Sequence, residues 1–257
     1  MSIPKIIHYC WFGRGPKPAL AQRCIQSWKK YCPGYEIIEW NEDNFDVSTA
    51  PLYVRQAYEA GRWAFVTDYV RLRALTEMGG VYMDTDVEVV KPLDVFLEHE
   101  AFAGFEHIQR VQTGLLACRK GFPLFEEFLH HYDDASFLRP DGSADITTNV
   151  EVLTKLCLTR GLVLDDSFQI VDGLAIYPKE VFCPVDFDTK RLKKTRKTVT
   201  IHWFSGSWQT EEEREFLQEE KRRQQREKRS ELRYGIGKAL FGETGYEKLK
   251  AVLKRLR

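Results

Sequence analysis

The chain has 257 residues, of which 43% are hydrophobic and 30% are charged. This composition is typical of a soluble globular protein with one sizeable domain or two small ones, and it excludes disordered, collagen-like and coiled-coil proteins. Six scattered cysteines form no CxxC pair, and the sequence has neither a signal-peptide pattern nor an apolar run of about 18 residues. We therefore expect a cytoplasmic protein with free thiols.

Strand and helix patterns alternate in the first part of the chain. Strands are predicted at residues 3–12, 35–40 and 81–86, and helices at residues 20–31, 51–60 and 62–78. Gly79-Gly80 is expected to end the third helix, because glycine accepts the backbone conformation of a helix C-terminus. This order predicts an α/β fold with a mostly parallel sheet covered by helices on both faces.

The rest of the chain is less regular. Strands are predicted at residues 101–105, 113–118 and 198–204, and helices at residues 123–132, 150–160 and 211–234. The net charge of zero hides an uneven distribution, since residues 211–257 carry 14 basic and 10 acidic side chains and the preceding part is acidic. We expect one α/β domain at residues 1–210 and a basic helical extension at residues 211–257.

Asp84 and Asp86 follow the helix that ends at Gly79-Gly80. In a strand, residues two apart face the same side, so these two carboxylates are predicted to project together. The carboxyl edge of an open α/β sheet is where such folds bind ligands, and paired carboxylates suit Mg²⁺ or Mn²⁺ with a phosphate. An Asp-x-Asp sequence alone is more often a solvated turn.

Asp68 and Arg71 lie one helical turn apart on the preceding helix. An ion pair on an apolar, buried stripe is costly unless a ligand compensates for it, and a phosphate or a polyhydroxylated ligand would do so. Alone, such a pair is more often structural. Combined with Asp84 and Asp86 across the Gly-Gly junction, it favours a binding site.

The run from Asp68 to Asp86 resembles the core motif of glycosyltransferase family 32, which includes bacterial capsule and O-antigen transferases and fungal mannosyltransferases. It is also similar to the catalytic domain of the large clostridial glucosylating toxins. Residues 3–13 (IPKIIHYCWFG) and 202–208 (HWFSGSW) resemble further blocks of the family. The resemblance implies a Rossmann-like GT-A fold and a retaining, metal-dependent hexosyltransferase that uses a nucleotide-sugar donor, with UDP favoured.

The resemblance also implies roles for single residues. Asp86 would bind Mn²⁺ or Mg²⁺ directly, with His202 as a further ligand, and Asp84 would bridge metal-bound water, the ribose and the donor sugar. Asp68 and Arg71 would hold the hexose hydroxyls. The other donor-binding candidates are Trp11 on the nucleobase, Tyr82, Asn149, either Ser205 or Ser207, and Trp208 over the diphosphate. Core positions remain the alternative for Trp11 and His202.

Residues 236–257 combine apolar residues at helical spacing with lysines and arginines. Such a helix is typical of an anchor on anionic lipid, and docking on the protein's own core is the alternative. An anchor would suit a lipid-linked or oligosaccharide acceptor at the inner leaflet, in surface polysaccharide synthesis.

Three other functions are alternatives to this glycosyltransferase. They are a protein acceptor, a metal phosphohydrolase and a nucleic-acid-binding protein that uses the basic tail. No zinc finger, RRM or KH signature accompanies that tail, so we expect no nucleic-acid partner.

Overall fold

The computed structural model describes residues 2–107, 110–187 and 189–206. Met1–Ser205 form one compact unit. The boundary predicted at residue 210, the helices predicted after it and the candidates Ser207 and Trp208 lie outside the described residues. Within the described ranges, no helix combines the length and the apolar character that a membrane crossing requires.

The first part of the chain alternates strands and helices as predicted. The strands are β1 (Ile6–Cys10), β2 (Glu36–Trp40) and β3 (Gly80–Met83), and the helices are α1 (Ala19–Tyr31), α2 (Leu52–Glu59) and α3 (Trp63–Met78). Strand β1 pairs in parallel with β2 and with β3. The carboxyl ends of these three strands therefore meet at one edge of the sheet, which is where Trp11 and Asp84 follow their strands.

The second part adds shorter elements. They are β4 (Val87–Val89), β5 (Ala101–His107), β6 (Arg110–Val111), β7 (Leu115–Cys118), α4 (Pro123–His130), α5 (Asn149–Leu158), β8 (Gln169–Val171), β9 (Leu174–Tyr177), α6 (Lys179–Phe182) and β10 (Thr200–His202). The large sheet has the order β2-β1-β3-β7-β5-β9-β8, with β6 paired to β5, and β4 pairs antiparallel with β10.

This architecture confirms the predicted α/β fold. The sheet is parallel across β2, β1 and β3 and mixed beyond them, because β7 runs antiparallel to both β3 and β5. Two apolar clusters lie on opposite faces of the sheet. The fully buried Trp28 of α1 also donates its indole N–H to the carbonyl of Val87 at 2.7 Å, which ties α1 to β4.

The junction between α3 and β3 depends on two glycines. Gly79 and Gly80 have φ values of 70° and 113°, a region that strongly favours glycine. A Cβ would lie 2.6 Å from the backbone nitrogen of Lys120 at Gly79 and 2.7 Å from the carbonyl oxygen of Ile6 at Gly80. The predicted helix stop is therefore confirmed. The turn at these glycines brings Arg71 of α3 within ion-pair distance of Asp84, which follows β3.

Six cysteines, all in the described part of the chain, are free and buried. The thiols predicted from their scattered spacing are therefore present as such.

Candidate active site

The chain brings three metal-type side chains together beside the carboxyl end of β3. Asp84, Asp86 and His202 each offer a ligand atom, and these atoms all lie within 4.8 Å of one another. The imidazole Nε2 of His202 is 3.3 Å from a carboxylate oxygen of Asp86. The backbone N–H of Ser205 donates to the other carboxylate oxygen of Asp86 at 2.8 Å.

The convergence of Asp84 and Asp86 arises differently from our prediction. Strand β3 ends at Met83, so strand alternation does not orient the two carboxylates. The backbone N–H of Asp84 donates to the carbonyl of Gly114 at 2.8 Å, and that of Val87 donates to the carbonyl of Asp84 at 2.9 Å. A tight turn thus presents both side chains at the edge of the sheet.

The late strand is also shorter than the predicted range of 198–204. Its pairing with β4 runs from Thr200 to His202. Phe204 has a φ of 50° and leaves the strand direction. Its ring stacks on the imidazole of His202 with centroids 4.1 Å apart, although Phe204 itself is not part of the strand.

Arg71 links the helix to the motif. Its guanidinium forms ion pairs with Asp68 at 2.9 Å and with Asp84 at 3.4 Å. It also donates to the carbonyl of Thr113 at 2.7 Å and lies over the ring of Tyr82 at 4.6 Å. One buried cation therefore fixes two carboxylates that sequence analysis assigned to donor binding.

Burial and charge shift the pKa values of this cluster in opposite directions. Burial raises the pKa of Asp68 to about 6 despite the nearby Arg71. Burial also opposes ionisation of Asp86 and His202, but their mutual attraction outweighs it. The pKa of Asp86 falls below its usual range and that of His202 rises well above it. At neutral pH the pair is therefore a carboxylate and an imidazolium.

The residues present suit a divalent cation. Two carboxylates and one imidazole form a mixed oxygen and nitrogen donor set that fits Mn²⁺ better than Mg²⁺, which prefers oxygen ligands. The imidazole of His202 is buried, and its neighbours Asp86 and the Cys183 thiol both raise its pKa, so a cation would have to displace a proton from it.

The structure places the other donor-binding candidates as follows. Tyr82 is buried, and its hydroxyl donates to Asp84 at 2.8 Å. Asn149 is buried at the start of α5, where its amide donates to the backbone carbonyl of Asp68 at 3.0 Å and accepts from the hydroxyl of Tyr132. Both side chains thus support Asp84 and Asp68, which are themselves donor-binding candidates.

Trp11 lies after β1 at the same edge, is partly buried and packs against one of the apolar clusters. Its indole N–H donates to the carbonyl of Gly15 at 2.7 Å, and the ammonium of Lys17 lies 5.6 Å from its ring. The backbone of Ser205 contacts Asp86 as described above. Ser207 and Trp208 lie beyond the described residues, so their roles remain predictions.

Sequence analysis missed two contributions to this site. The carbonyls of Thr113 and Gly114 hold Arg71 and Asp84, and Glu106 is a partly buried carboxyl whose pKa is raised by burial. The Thr113-Gly114 pair was the available sign that the strand starts later than residue 113. The predicted strand at residues 113–118 includes this pair, whereas β7 begins at Leu115.

Comparison with known proteins adds to this geometry. Residues 18–103 match the family model described as the glycosyltransferase sugar-binding region containing a DXD motif. This part of the chain is therefore similar to the DXD-containing region of glycosyltransferases. Within the match, the DXD motif is Asp84-Thr85-Asp86, and the matched region includes Asp68 and Arg71. Trp11 and His202 lie outside it.

The chain is also similar to a curated protein and to solved structures. It is 24% identical over 144 residues to inositol phosphoceramide mannosyltransferase 3 of Schizosaccharomyces pombe (strain 972 / ATCC 24843), covering 53% of this chain and 39% of that protein. The chain thus spans about two fifths of this relative's length.

Two solved structures illustrate the structural similarity. PaToxG glycosyltransferase matches with a TM-score of 0.45 and 16% identity, covering 62% of this chain and 70% of its own. The galactosyltransferase LgtC, solved with donor and acceptor sugar analogues, matches with a TM-score of 0.42 and 15% identity, covering 78% of this chain and 87% of its own. Similarities of this size do not establish a substrate.

Proposed function

We propose that the protein transfers a hexose, with retention of anomeric configuration, from a UDP-sugar to a lipid-linked saccharide in surface polysaccharide synthesis. The observation that carries the transferase proposal is the meeting of Asp84, Asp86 and His202 beside the buried Asp68–Arg71 pair. A cation site next to a charged pair with hydrogen-bonding groups suits a nucleoside diphosphate joined to a polyhydroxylated ring.

Each side chain has a separate task in this proposal. Asp86 and His202 hold the cation directly, and Asp84 faces both the cation and the ribose. Asp68 and Arg71 bind hexose hydroxyls from the helix side, where Asn149 and Tyr132 keep the α3 backbone in place. The indole of Trp11 stacks on the base at the end of β1.

Asp84, Asp86 and His202 would hold Mn²⁺, which would act as a Lewis acid for the charge that develops on the leaving diphosphate. The bond from the anomeric carbon to the phosphate oxygen breaks, and the acceptor oxygen bonds to that carbon from the same face. The acceptor proton passes to the departing phosphate oxygen. The carboxylates of Asp84 and Asp68, when ionised, would stabilise positive charge on the sugar ring.

Calorimetric titration with UDP and with GDP, each with and without Mn²⁺, tests this proposal. We expect UDP to bind only weakly without the metal and at least about tenfold more tightly with it, because Asp84 and Asp86 otherwise repel the diphosphate. A donor panel with UDP-hexoses then identifies the sugar. If neither nucleotide binds in the presence of Mn²⁺, the transferase proposal is wrong.

The affinity for Mn²⁺ should rise with pH. A cation needs the neutral imidazole of His202, whereas Asp86 keeps that imidazole protonated in the metal-free protein because the pKa of His202 is raised. Below that pKa, affinity is expected to increase by up to about tenfold per pH unit, as one proton is released for each ion bound.

Titrations in two buffers of different ionisation enthalpy measure that proton. The variant His202→Gln provides the comparison, since it should bind weakly and release none. An affinity of the wild type that is constant between pH 6 and 8, with no proton release, would contradict the assignment of His202 as a ligand.

The acceptor and the location are further parts of the proposal. A basic amphipathic segment at residues 236–257 would bring the enzyme to anionic lipid at the cytoplasmic face of a membrane. Co-sedimentation with vesicles containing phosphatidylglycerol should pellet the full chain and leave a chain truncated at Glu211 in solution. Negligible pelleting of both proteins would remove the membrane part and leave the transferase part untouched.

A further inference from the structure

Gly114 lies directly against the side chains assigned to the cation, on a segment whose backbone is fixed. The carbonyl of Thr113 accepts a hydrogen bond from Arg71 at 2.7 Å. The carbonyl of Gly114 accepts from the backbone N–H of Asp84 at 2.8 Å, and the N–H of Gln112 donates to the carbonyl of Gly104 at 2.9 Å. The Cα of residue 114 is therefore held in place from both sides.

A side chain at this position would meet the candidate ligands. A Cβ on Gly114 would lie 2.9 Å from Cε1 of His202, 3.0 Å from Oδ2 of Asp84 and 3.1 Å from Nδ1 of His202. Cβ atoms in folded proteins essentially never come closer than 3.0 Å to a non-bonded atom. The contact would therefore force at least one of the two side chains to move.

Neither side chain has an easy way to move. Asp84 accepts from the hydroxyl of Tyr82 at 2.8 Å and pairs with Arg71 at 3.4 Å. His202 is 8% exposed, stacks on Phe204 and lies 3.3 Å from Asp86. A methyl group at residue 114 would push against ligand atoms that their other partners hold in position.

The backbone of Gly114 does not itself require glycine. Its φ lies outside the left-handed region in which ten other glycines of the described chain are found. Glycine is therefore needed here because a Cβ would meet the side chains of Asp84 and His202.

We propose that Gly114 is a positioning residue for the divalent cation, because its bare Cα lets the side chains of Asp84 and His202 take the positions in which they would bind the ion. This inference rests on the proposed function, in which those side chains bind the metal. Any side chain at residue 114 would then weaken cation binding, although residue 114 offers no ligand atom of its own.

Electron paramagnetic resonance of Mn²⁺ titrated into the protein, in the presence of UDP, tests the inference without an activity assay. Gly114→Ala should weaken Mn²⁺ binding by about 10- to 100-fold, the range seen when residues behind metal ligands are changed. If the wild type fails to bind Mn²⁺, the proposed function fails. If the wild type binds and Gly114→Ala binds equally well, only the inference about Gly114 fails.

Two glycines supply matched controls. Gly15 has no atom within 4 Å of a Cβ position, so Gly15→Ala should leave Mn²⁺ affinity unchanged. Gly173 has a φ of 83° and a Cβ there would lie 3.2 Å from the ring of Phe122, so Gly173→Ala should lower the melting temperature and leave Mn²⁺ affinity unchanged. An equal loss of Mn²⁺ affinity in Gly173→Ala would show a general packing effect and overturn the proposal.

A double-mutant cycle covers the case in which Gly114→Ala is too unstable for the Mn²⁺ titration. Truncating the imidazole in His202→Ala removes two of the three close contacts. Gly114→Ala in that background should then be much less harmful to the melting temperature than it is in the wild type. Equal destabilisation in both backgrounds would mean that the methyl group clashes elsewhere, and the inference would be wrong.

Discussion

Replacing Asp86 with asparagine is expected to abolish sugar transfer while the domain stays folded. The amide keeps the shape of the carboxylate and still accepts a hydrogen bond from the N–H of Ser205. It removes the negative charge that would bind Mn²⁺, and we expect a loss of about 10³-fold in turnover from a group acting on developing charge. Donor turnover and Mn²⁺ binding measure the loss, and the melting temperature reports the fold.

Asp94→Asn is a suitable control for this variant. Asp94 pairs with Lys5 at 2.6 Å, and both side chains are about half exposed. Lys5 precedes β1, at the end of the sheet opposite to the site, and an exposed ion pair contributes little. The turnover of Asp94→Asn should stay within about twofold of the wild type. Full activity in Asp86→Asn would remove the DXD motif from the mechanism.

Features fixed by short sequence spacing could be predicted well. The i, i+3 spacing of Asp68 and Arg71 predicted a buried ion pair, and the structure has one at 2.9 Å. Gly79-Gly80 predicted the end of α3 at the observed residue. Both depend on local geometry, which a sequence pattern records directly.

Features that depend on pairing between distant segments could not be predicted in this way. Gly114 contacts Asp84 because β7 lies antiparallel beside β3. His202 reaches Asp86 because β10 pairs with β4. No local pattern shows which strands become neighbours. The family resemblance suggested His202, whereas the Thr113-Gly114 pair did not show which side chains Gly114 would meet. The same limit explains why the turn at Asp84 was read as the continuation of a strand.

Arg71→Ala is expected to destabilise the protein more than any other single change at this site. Arg71 is 5% exposed and faces Asp68, Asp84 and the carbonyl of Thr113. Its removal leaves two clustered carboxylates and a carbonyl without their cation, and breaking a buried pair in this way costs about 3–5 kcal/mol. Urea unfolding of the metal-free protein measures the change, and donor binding should be lost in the fraction that remains folded.

Arg73→Ala provides a control on the same helix. Arg73 pairs with Glu77 at 2.9 Å, and its side chain is 37% exposed. Its loss should cost less than about 1 kcal/mol, since exposed pairs of this kind are weak. Adding Asp68→Asn to Arg71→Ala should recover part of the stability, because one of the stranded charges is then gone. If Arg71→Ala is no less stable than Arg73→Ala, the buried cation does not hold the two carboxylates together, and the donor pocket must be organised by other contacts.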